Sequence, residues 1–189
     1  MTGAAAPRLL TIGHGTSDRA DLTQRLHDAG IEVLVDVRRF PGSRRNPDVS
    51  RDALADWLPG EGVAYVWEER LGGRRRVPAE VGDADAWWRV EAFRAYAAHT
   101  RTAEFDAGLR DALARAESAV TAVMCSEFVW WRCHRRLVSD AAMLVHGVPV
   151  HHVMPDGRVQ AHEPSEGARR SGTGLAYPRA PEAVEPLRG

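Results

Sequence analysis

The sequence contains no lysine, and all 25 of its basic residues are arginines. This absence excludes reactions that need a lysine amine, such as Schiff-base formation, and it excludes the lysine-containing P-loop for nucleotides. Because 26 acidic residues leave a formal net charge of −1, the chain as a whole lacks the basic field that would bind nucleic acid over a broad surface.

Cysteine and long apolar runs are also scarce. Two cysteines in 189 residues, Cys125 and Cys133, are too few for the disulfide framework of a secreted domain. No run reaches the roughly 18 apolar residues of a membrane span, and the first residues do not have the pattern of a signal peptide. We therefore expect a cytoplasmic protein without a membrane partner, in which the thiols stay reduced.

Short apolar runs alternate with longer amphipathic segments along most of the chain. The runs that predict strands are at 8–13, 31–38, 63–67, 119–125 and 148–154. This alternation is typical of a three-layer, Rossmann-like α/β fold, with a parallel sheet of about five strands and helices on both faces. Residues 1–163 are predicted to form this single domain, with a hairpin-like edge at 155–163. Residues 164–189, rich in Pro, Gly and charge, are predicted to be a flexible tail.

Polar residues follow four of the predicted strands, at the edge where ligands bind in open parallel sheets. The segment "GHGTS" follows the first strand, and it is either an anion-binding turn with free backbone N–H groups or only a tight turn. His14 in this segment is a candidate general acid or base, with a structural role as the alternative. The segment "LGGRRR" follows the third strand and is either a lid over an anion or an ordinary loop.

The segment "DVRRFPGSRRNP", after the second strand, concentrates arginines that include Arg38 and Arg44. The planar fork of arginine binds phosphate or carboxylate through paired hydrogen bonds, so this segment predicts an anion site. The alternative is a basic loop exposed to solvent. Arg38 directly follows an apolar strand, and a half-buried arginine needs an anionic partner, which is either Asp36 or a ligand.

Both cysteines lie in "CSEFVWWRCHRR", after the fourth strand. Cys133 is predicted in the first turn of a helix beside Arg135, where the helix N-terminus and the cation would lower the pKa of the thiol. It is then a nucleophile or a redox thiol, and Cys125 is a resolving partner. The alternative for both is a buried packing residue. Their spacing does not fit a CxxC redox motif or a cysteine-phosphatase loop.

A metal site is a weaker interpretation of the same residues. Cys125, Cys133, His134 and His14 are a possible set of four zinc ligands, but the paired spacing of a zinc site is missing. We therefore predict no metal site, and the sequence identifies no cofactor.

Several stretches together resemble the domain-of-unknown-function family 488, in the expected order and over roughly residues 9–162. They are "TIGHGT", "LVDVRRFPGSRR", "LGGRRR", "VMCSEFVWWRCHRRLVSD" and "GVPVHHV". In that family the most specific element reads Cys-Ala-Glu, a proline-containing turn, and Cys-His-Arg. Here Ser126 replaces the alanine, and tryptophans replace the proline. The resemblance implies a Rossmann-like α/β fold, and it supplies no settled activity.

The resemblance also implies which positions form a composite site. The positions that match the family pattern are His14, Asp36, Arg38, Pro41, Ser43, Arg44, Cys125, Glu127, Cys133, His134 and Arg135.

The leading hypothesis is an enzyme that acts on an anionic, phosphate-bearing substrate. Its predicted catalytic residues are Cys133, Cys125, Glu127 and His14, and its predicted binding residues are Arg38, Arg44, Arg135, Ser43, His134 and Asp36. The expected partner is an anionic small molecule or a nucleotide, and nucleic acid is possible because arginines and tryptophans together suit phosphate and base. The alternatives are a non-catalytic nucleotide or nucleic-acid binding module, and a redox sensor in which Cys125 and Cys133 form a reversible disulfide.

Overall fold

The structure, a computed structural model, describes residues 8–42, 46–76, 78 and 82–179. Within these ranges the chain forms five α-helices and eight strands. The helices are α1 (Arg19–Asp28), α2 (Arg51–Trp57), α3 (Glu91–His99), α4 (Ala103–Ala116) and α5 (Arg135–Leu144). The strands are β1 (Leu9–Gly13), β2 (Val33–Asp36), β3 (Ala64–Trp67), β4 (Thr121–Cys125), β5 (Val150–Val153), β6 (Val159–Ala161), β7 (Arg169–Ser171) and β8 (Gly174–Ala176).

Six strands form the main sheet, in the order β3-β2-β4-β1-β5-β6. The first five are parallel, and β6 pairs antiparallel with β5 after a tight turn. The Rossmann-like α/β prediction is therefore confirmed, with the qualification that the sheet is mixed because of the hairpin-like edge. In the register, Gly13 lies opposite Cys125 and Asp36 lies opposite Met124, so β1, β2 and β4 end side by side.

Both faces of the sheet are covered, which explains why its strands are apolar almost without interruption. Neighbouring residues such as Leu9 and Leu10 contribute to different clusters, because successive side chains of a strand point to opposite faces. Helices α1 and α2 supply Leu22, Leu26, Leu54 and Trp57 to one cluster, and α3, α4 and α5 supply Tyr96, Phe105, Leu109, Leu137 and Val138 to the other. None of the helices in the described ranges is long and apolar enough to cross a bilayer.

Side-chain caps fix the starts of the two helices on the first face. The Asp18 carboxylate accepts a hydrogen bond from the Asp21 N–H at 2.9 Å, and the Ser50 hydroxyl accepts one from the Ala53 N–H at 3.3 Å. Such caps satisfy N–H groups that have no partner within the helix.

Residues 164–179 differ from the predicted flexible tail. They contain the β7-β8 hairpin, and Leu175 and Tyr177 at its end are completely buried. Arg101 donates a hydrogen bond to the Leu175 carbonyl at 2.7 Å, and the Tyr177 hydroxyl donates one to Asp140 at 2.9 Å. Two large side chains in a segment otherwise rich in Gly, Pro and charge are enough to anchor it. Residues 180–189 of the predicted tail lie outside the described residues.

Candidate functional site

A cleft of about 370 Å³ opens at the edge where β2 and β4 end. Five of the residues that the sequence predicts for the site line it: Arg38, Cys125, Glu127, Cys133 and His134. Ser43 and Arg44, which the sequence predicts as binding residues, lie outside the described residues.

Cys133 lies in the connection between β4 and α5, at the floor of the cleft. A short 3-10 turn, Trp130–Arg132, ends at Cys133, and α5 begins only at Arg135. Cys133 therefore precedes the helix, and the prediction that it lies in the first helical turn is corrected. The backbone N–H of Arg135 still reaches its sulfur, because a helix N-terminus leaves such groups free.

The two thiols have opposite acidities although both are reduced and buried. Burial raises the pKa of Cys133, but a hydrogen bond from the Cys125 thiol and the charge and backbone N–H of Arg135 outweigh it, so the pKa falls to about 7. Burial and the neighbouring Cys133 raise the pKa of Cys125 well above its usual value. Of the two thiols, Cys133 is therefore the one that ionises near pH 7, and Cys125 keeps its proton there.

Arg135 is the largest completely buried side chain, and its donors are used inside the protein. Its Nε donates to the Cys125 sulfur at 3.1 Å and its Nη1 donates to the Thr11 hydroxyl at 3.3 Å. Its Nη2 donates to the carbonyls of Glu127 and Phe128. This arrangement differs from the prediction that Arg135 binds a substrate anion directly.

The charge of Arg135 needs a counterion nearby, since an isolated buried charge is very costly. Within the described part of the chain, no Asp or Glu side chain forms an ion pair with Arg135. The guanidinium meets both thiols: burial lowers the pKa of Arg135, and the charges of Cys125 and Cys133 together raise it above its usual value.

His134 is positioned to exchange a proton with Cys133. Its Nε2 lies 3.2 Å from the Val37 carbonyl, which can only accept, so Nε2 carries the proton. Its Nδ1 then has a free lone pair, and it faces the Cys133 sulfur at 3.5 Å. Burial lowers the pKa of His134, which keeps the imidazole neutral and able to accept the thiol proton. The sequence predicts a binding role for this residue, and the geometry favours proton transfer.

Asp36, Arg38 and His14 form a second buried group at the same edge. Asp36 accepts hydrogen bonds from the backbone N–H and the Nε of Arg38 at 3.0 and 2.8 Å, and from the Tyr65 hydroxyl at 2.8 Å. Burial and the Asp36 carboxylate together raise the pKa of Tyr65, which keeps its hydroxyl a donor. Asp36 therefore holds Arg38, and it is enclosed rather than open to a ligand.

His14 lies beside Arg38 in this buried group. Its Nδ1 donates to the Gly15 carbonyl at 2.9 Å, and its Nε2 accepts from Nη1 of Arg38 at 3.2 Å. Burial and the charge of Arg38 lower its pKa to about 4, so the ring is neutral at pH 7. Both ring nitrogens have a hydrogen-bond partner, and one of these contacts positions Arg38; the catalytic role of His14 stays a prediction.

Glu127 lines the cleft with an exposed side chain, and its backbone carbonyl is one of the Arg135 acceptors. The sequence did not distinguish three arginines that also line the cleft, Arg39, Arg74 and Arg132. The sequence did contain a sign of them, because each belongs to one of the arginine-rich motifs that follow the predicted strands. Sequence alone does not tell which arginine of a motif pairs internally and which faces a ligand.

A buried polar chain behind the cleft was also missed. It runs from Arg135 to the Thr11 hydroxyl, then to His152 at 2.7 Å, to His162 at 2.9 Å, and to the Asp140 carboxylate at 2.8 Å. Because the carboxylate only accepts, each group donates to the next in one direction, from the cation to the anion. The second histidine of "VPVHHV", inside a buried strand, was the signal.

Burial, together with the neighbouring His162, lowers the pKa of His152 to about 2, so this ring is neutral. The ring of Trp130 stacks on it with centroids 4.2 Å apart. The chain therefore fixes both the loop before Cys133 and one edge of the Arg135 guanidinium. Among the residues that the structure describes, no three His, Cys, Asp or Glu side chains are arranged to hold a metal ion.

Comparison with curated proteins finds no match, and comparison with solved structures finds none either. The sequence model of one family, described as "Domain of unknown function DUF488", matches residues 19–142. The match covers more than half of the chain and includes the segments that carry Asp36, Arg38, both cysteines, His134 and Arg135. The chain therefore belongs to the DUF488 family.

Proposed function

We propose that this protein is an enzyme in which the Cys133 thiolate attacks an anionic, phosphate-bearing substrate. One observation carries the proposal. A completely buried arginine, Arg135, is directed at two thiols, and no carboxylate forms an ion pair with it within the described residues. A protein that only needed a packed core at this place would be more stable with apolar side chains there. The arrangement lowers a thiol pKa to the range where a nucleophile works at neutral pH.

The cleft above the thiolate supports an anionic substrate. Arg74 and Arg132 line it, and neither side chain has a hydrogen bond or ion pair with any other described residue. Glu127 is the one acidic residue among the described residues that line it. Guanidinium groups that have no partner within the described part of the chain, in the cleft that Cys133 also lines, provide both the attraction and the bidentate geometry that a phosphate group needs.

The chemistry then balances with groups that are in place. When Cys133 enters as a thiol, its proton moves to Nδ1 of His134, 3.5 Å away. The sulfur forms a bond to the electrophilic atom of the substrate while the bond to the leaving group breaks. His134 returns the proton to the leaving group, and the remaining group stays covalently bound to the Cys133 sulfur. Water then displaces this group: its oxygen bonds to the group, the bond to sulfur breaks, and the proton that water gives up restores the Cys133 thiol.

The test is the pH dependence of iodoacetamide alkylation at each cysteine, read by peptide mass spectrometry. We expect the rate at Cys133 to be half-maximal near pH 7, and inorganic phosphate to slow it. The Cys133→Ser variant is the matched control for non-specific labelling, because only Cys125 is then left to react. If both cysteines react only after unfolding, they are packing residues, the proposal fails, and the binding-module alternative takes its place.

A dithiol redox function is the second candidate, because the two reduced thiols are hydrogen-bonded to each other and one is ionised. With a peroxide as oxidant, the Cys133 thiolate would take one oxygen to become a sulfenic acid, and the peroxide would leave as water or alcohol. The Cys125 thiol would then condense with it to a disulfide and release water. A mass decrease equal to the pair of thiol hydrogens, reversed by dithiothreitol and absent in Cys125→Ser, supports this function.

A further inference from the structure

A second cleft, of about 530 Å³, adjoins the thiol cleft. The two clefts share Arg39, Phe40 and Arg74, which therefore form the partition between them. Each volume is in the range that holds one small-molecule ligand group. A single ligand with two parts joined at the partition fits this arrangement.

Unpaired positive charge is concentrated along the two clefts. Arg76 lines the second cleft, and like Arg74 it has no hydrogen bond or ion pair with another described side chain. Arg39 makes one long hydrogen bond, to the Arg74 carbonyl at 3.3 Å. No acidic residue is among the described residues that line the second cleft. Guanidinium groups that line one cleft repel one another, and an anion between them removes that repulsion.

Apolar surface accompanies the charge in both clefts. Phe40 at the partition is 64% exposed, the highest value among the large apolar side chains of the described residues. The first cleft has Val90 and Phe93 in its wall, and the second has Ala95 and Ala98. The Arg39 guanidinium lies over one face of the Phe40 ring, 5.7 Å from its centroid. An exposed aromatic ring beside arginines suits a flat base that carries phosphate, since base stacking and phosphate binding need these two kinds of side chain.

We propose that the two clefts form one site for a phosphodiester-linked dinucleotide, with one nucleotide in each cleft. The bridging phosphate lies on Arg39 and Arg74, one base stacks on Phe40, and a terminal phosphate in the first cleft reaches Arg132. The proposal deepens the proposed function and rests on it only for the reaction at Cys133, because binding itself uses no thiol. With a net charge of −1, the chain favours a short ligand over a long polyanion.

A free dinucleotide and the end of a nucleic-acid strand have this same chemistry. We would titrate the Cys133→Ser protein with adenosine 5′-monophosphate, a 5′-phosphorylated diadenylate and a 5′-phosphorylated ten-nucleotide strand, by calorimetry at one salt concentration. We expect the dinucleotide to bind about tenfold more tightly than the mononucleotide, because it adds charge-assisted contacts. Equal affinity of dinucleotide and strand identifies the free ligand, and tighter strand binding identifies a strand end.

Two variants separate the clefts. Arg76→Gln, which touches only the second cleft, should remove most of the dinucleotide advantage and leave the mononucleotide affinity unchanged. Arg132→Gln, in the first cleft, should weaken both ligands by about tenfold. Arg170→Gln is the matched control, because Arg170 is exposed, makes no ion pair within the described residues and lines neither cleft.

Failure of this proposal is distinct from failure of the proposed function. Equal binding of mononucleotide and dinucleotide, or no effect of Arg76→Gln, overturns the two-cleft site and leaves a reactive Cys133 in place. If no nucleotide binds while phosphate still protects Cys133 from alkylation, the nucleotide class is wrong and the anion site stands.

Discussion

Arg38 and Arg135 are two buried arginines at the same edge of the sheet, and their charges are balanced in different ways. Arg38 meets Asp36 through three hydrogen bonds, and the carboxylate is completely buried. Arg135 meets two thiols, a hydroxyl and two carbonyls, and it reaches the Asp140 carboxylate only through a chain of three side chains. The charge of Arg38 is thus neutralised by Asp36. Arg135 has no carboxylate in contact with it among the described residues, and a thiolate supplies the negative charge instead.

The difference separates a structural cation from a chemical one. A guanidinium that is paired with a carboxylate changes the pKa of other groups only slightly, because the two charges nearly cancel at a distance. A guanidinium with only neutral partners stabilises whatever nearby group can become negative, and at this edge that group is Cys133. Burial alone would have made both cysteines poor acids, as it does for Cys125.

The largest expected effect comes from breaking the buried ion pair of Asp36 and Arg38. Asp36→Asn leaves Arg38 buried without its anion, and we expect the free energy of unfolding to fall by about 3–5 kcal/mol. Urea unfolding followed by circular dichroism measures the change. Asp52→Asn is the control, because its ion pair with Arg51 is exposed and should contribute nothing measurable. Equal losses for both variants would show that the burial of Asp36 does not govern its contribution.

Arg135→Met tests whether this arginine lowers the pKa of Cys133. Without the guanidinium, the pKa of Cys133 should rise from its present value of about 7 towards its usual value of 9.0, because burial still raises it while the Cys125 hydrogen bond remains. Alkylation at pH 7 should then slow by up to about 50-fold, because the thiolate fraction falls from about one half at a pKa of 7 to about 1% at a pKa of 9. The measurement is the rate at the Cys133 peptide as a function of pH.

The double variant Asp36→Asn, Arg38→Met is the matched comparison, since it removes the other buried arginine together with its counterion. It should leave the alkylation profile of Cys133 within a few tenths of a pH unit of the unmodified protein, a small change by the standard of ordinary pKa scatter of about one unit. If Arg135→Met does not fold, Arg135→Lys keeps a charge and should give an intermediate profile. If the alkylation profile of Cys133 shifts by the same amount in Arg135→Met and in the double variant, Arg135 has no special effect on the thiol compared with Arg38.

The lowered pKa of Cys133 also predicts how stability depends on pH. A thiol with a folded-state pKa of about 7 and a reference value of 9.0 binds fewer protons when folded, so stability rises with pH between these two values and is lost again as pH falls through 7. The full difference corresponds to about 2–3 kcal/mol. Above pH 9 the raised pKa of Cys125 opposes any further gain, because only the unfolded chain then ionises that thiol.

The matched variant is Cys133→Ser, which does not ionise in this range. The difference in unfolding free energy between the unmodified protein and this variant should grow from pH 6 to pH 9. Chemical unfolding under reducing conditions at each pH gives the difference. A flat difference would mean that Cys133 is protonated in the folded protein throughout this range.

Sequence predicted the layered sheet and the strand ends well, because apolar runs and their spacing report burial directly. It also predicted a site at the loop of Cys125 and Cys133, which lines the cleft, and the function of that site stays a prediction. It did not predict which partners each arginine has. Arg135 and Arg132 are three residues apart, yet one is completely buried and the other faces the cleft. That distinction depends on contacts with Thr11, far away in the chain, and no local pattern contains it.

The smallest expected effect comes from the chain that connects Arg135 to Asp140. Thr11→Val keeps the shape of the side chain but leaves an N–H of Arg135 and the Nδ1 of His152 unpaired, so the free energy of unfolding should fall by about 1–3 kcal/mol. The pKa of Cys133 should rise by less than in Arg135→Met, because the guanidinium stays but loses one of the contacts that orient it.

Thr23→Val is the matched control for Thr11→Val, because the Thr23 hydroxyl is shielded from solvent and has no hydrogen-bond partner among the residues that the structure describes. Its loss should leave both the stability and the Cys133 profile unchanged or slightly improved. If Thr11→Val lowers stability without moving the alkylation profile of Cys133, the chain supports the fold alone, and Arg135 is held in place by the carbonyls of Glu127 and Phe128. If the free energy of unfolding and the alkylation profile of Cys133 both change, the buried histidines help to set the pKa of this thiol, although neither contacts it.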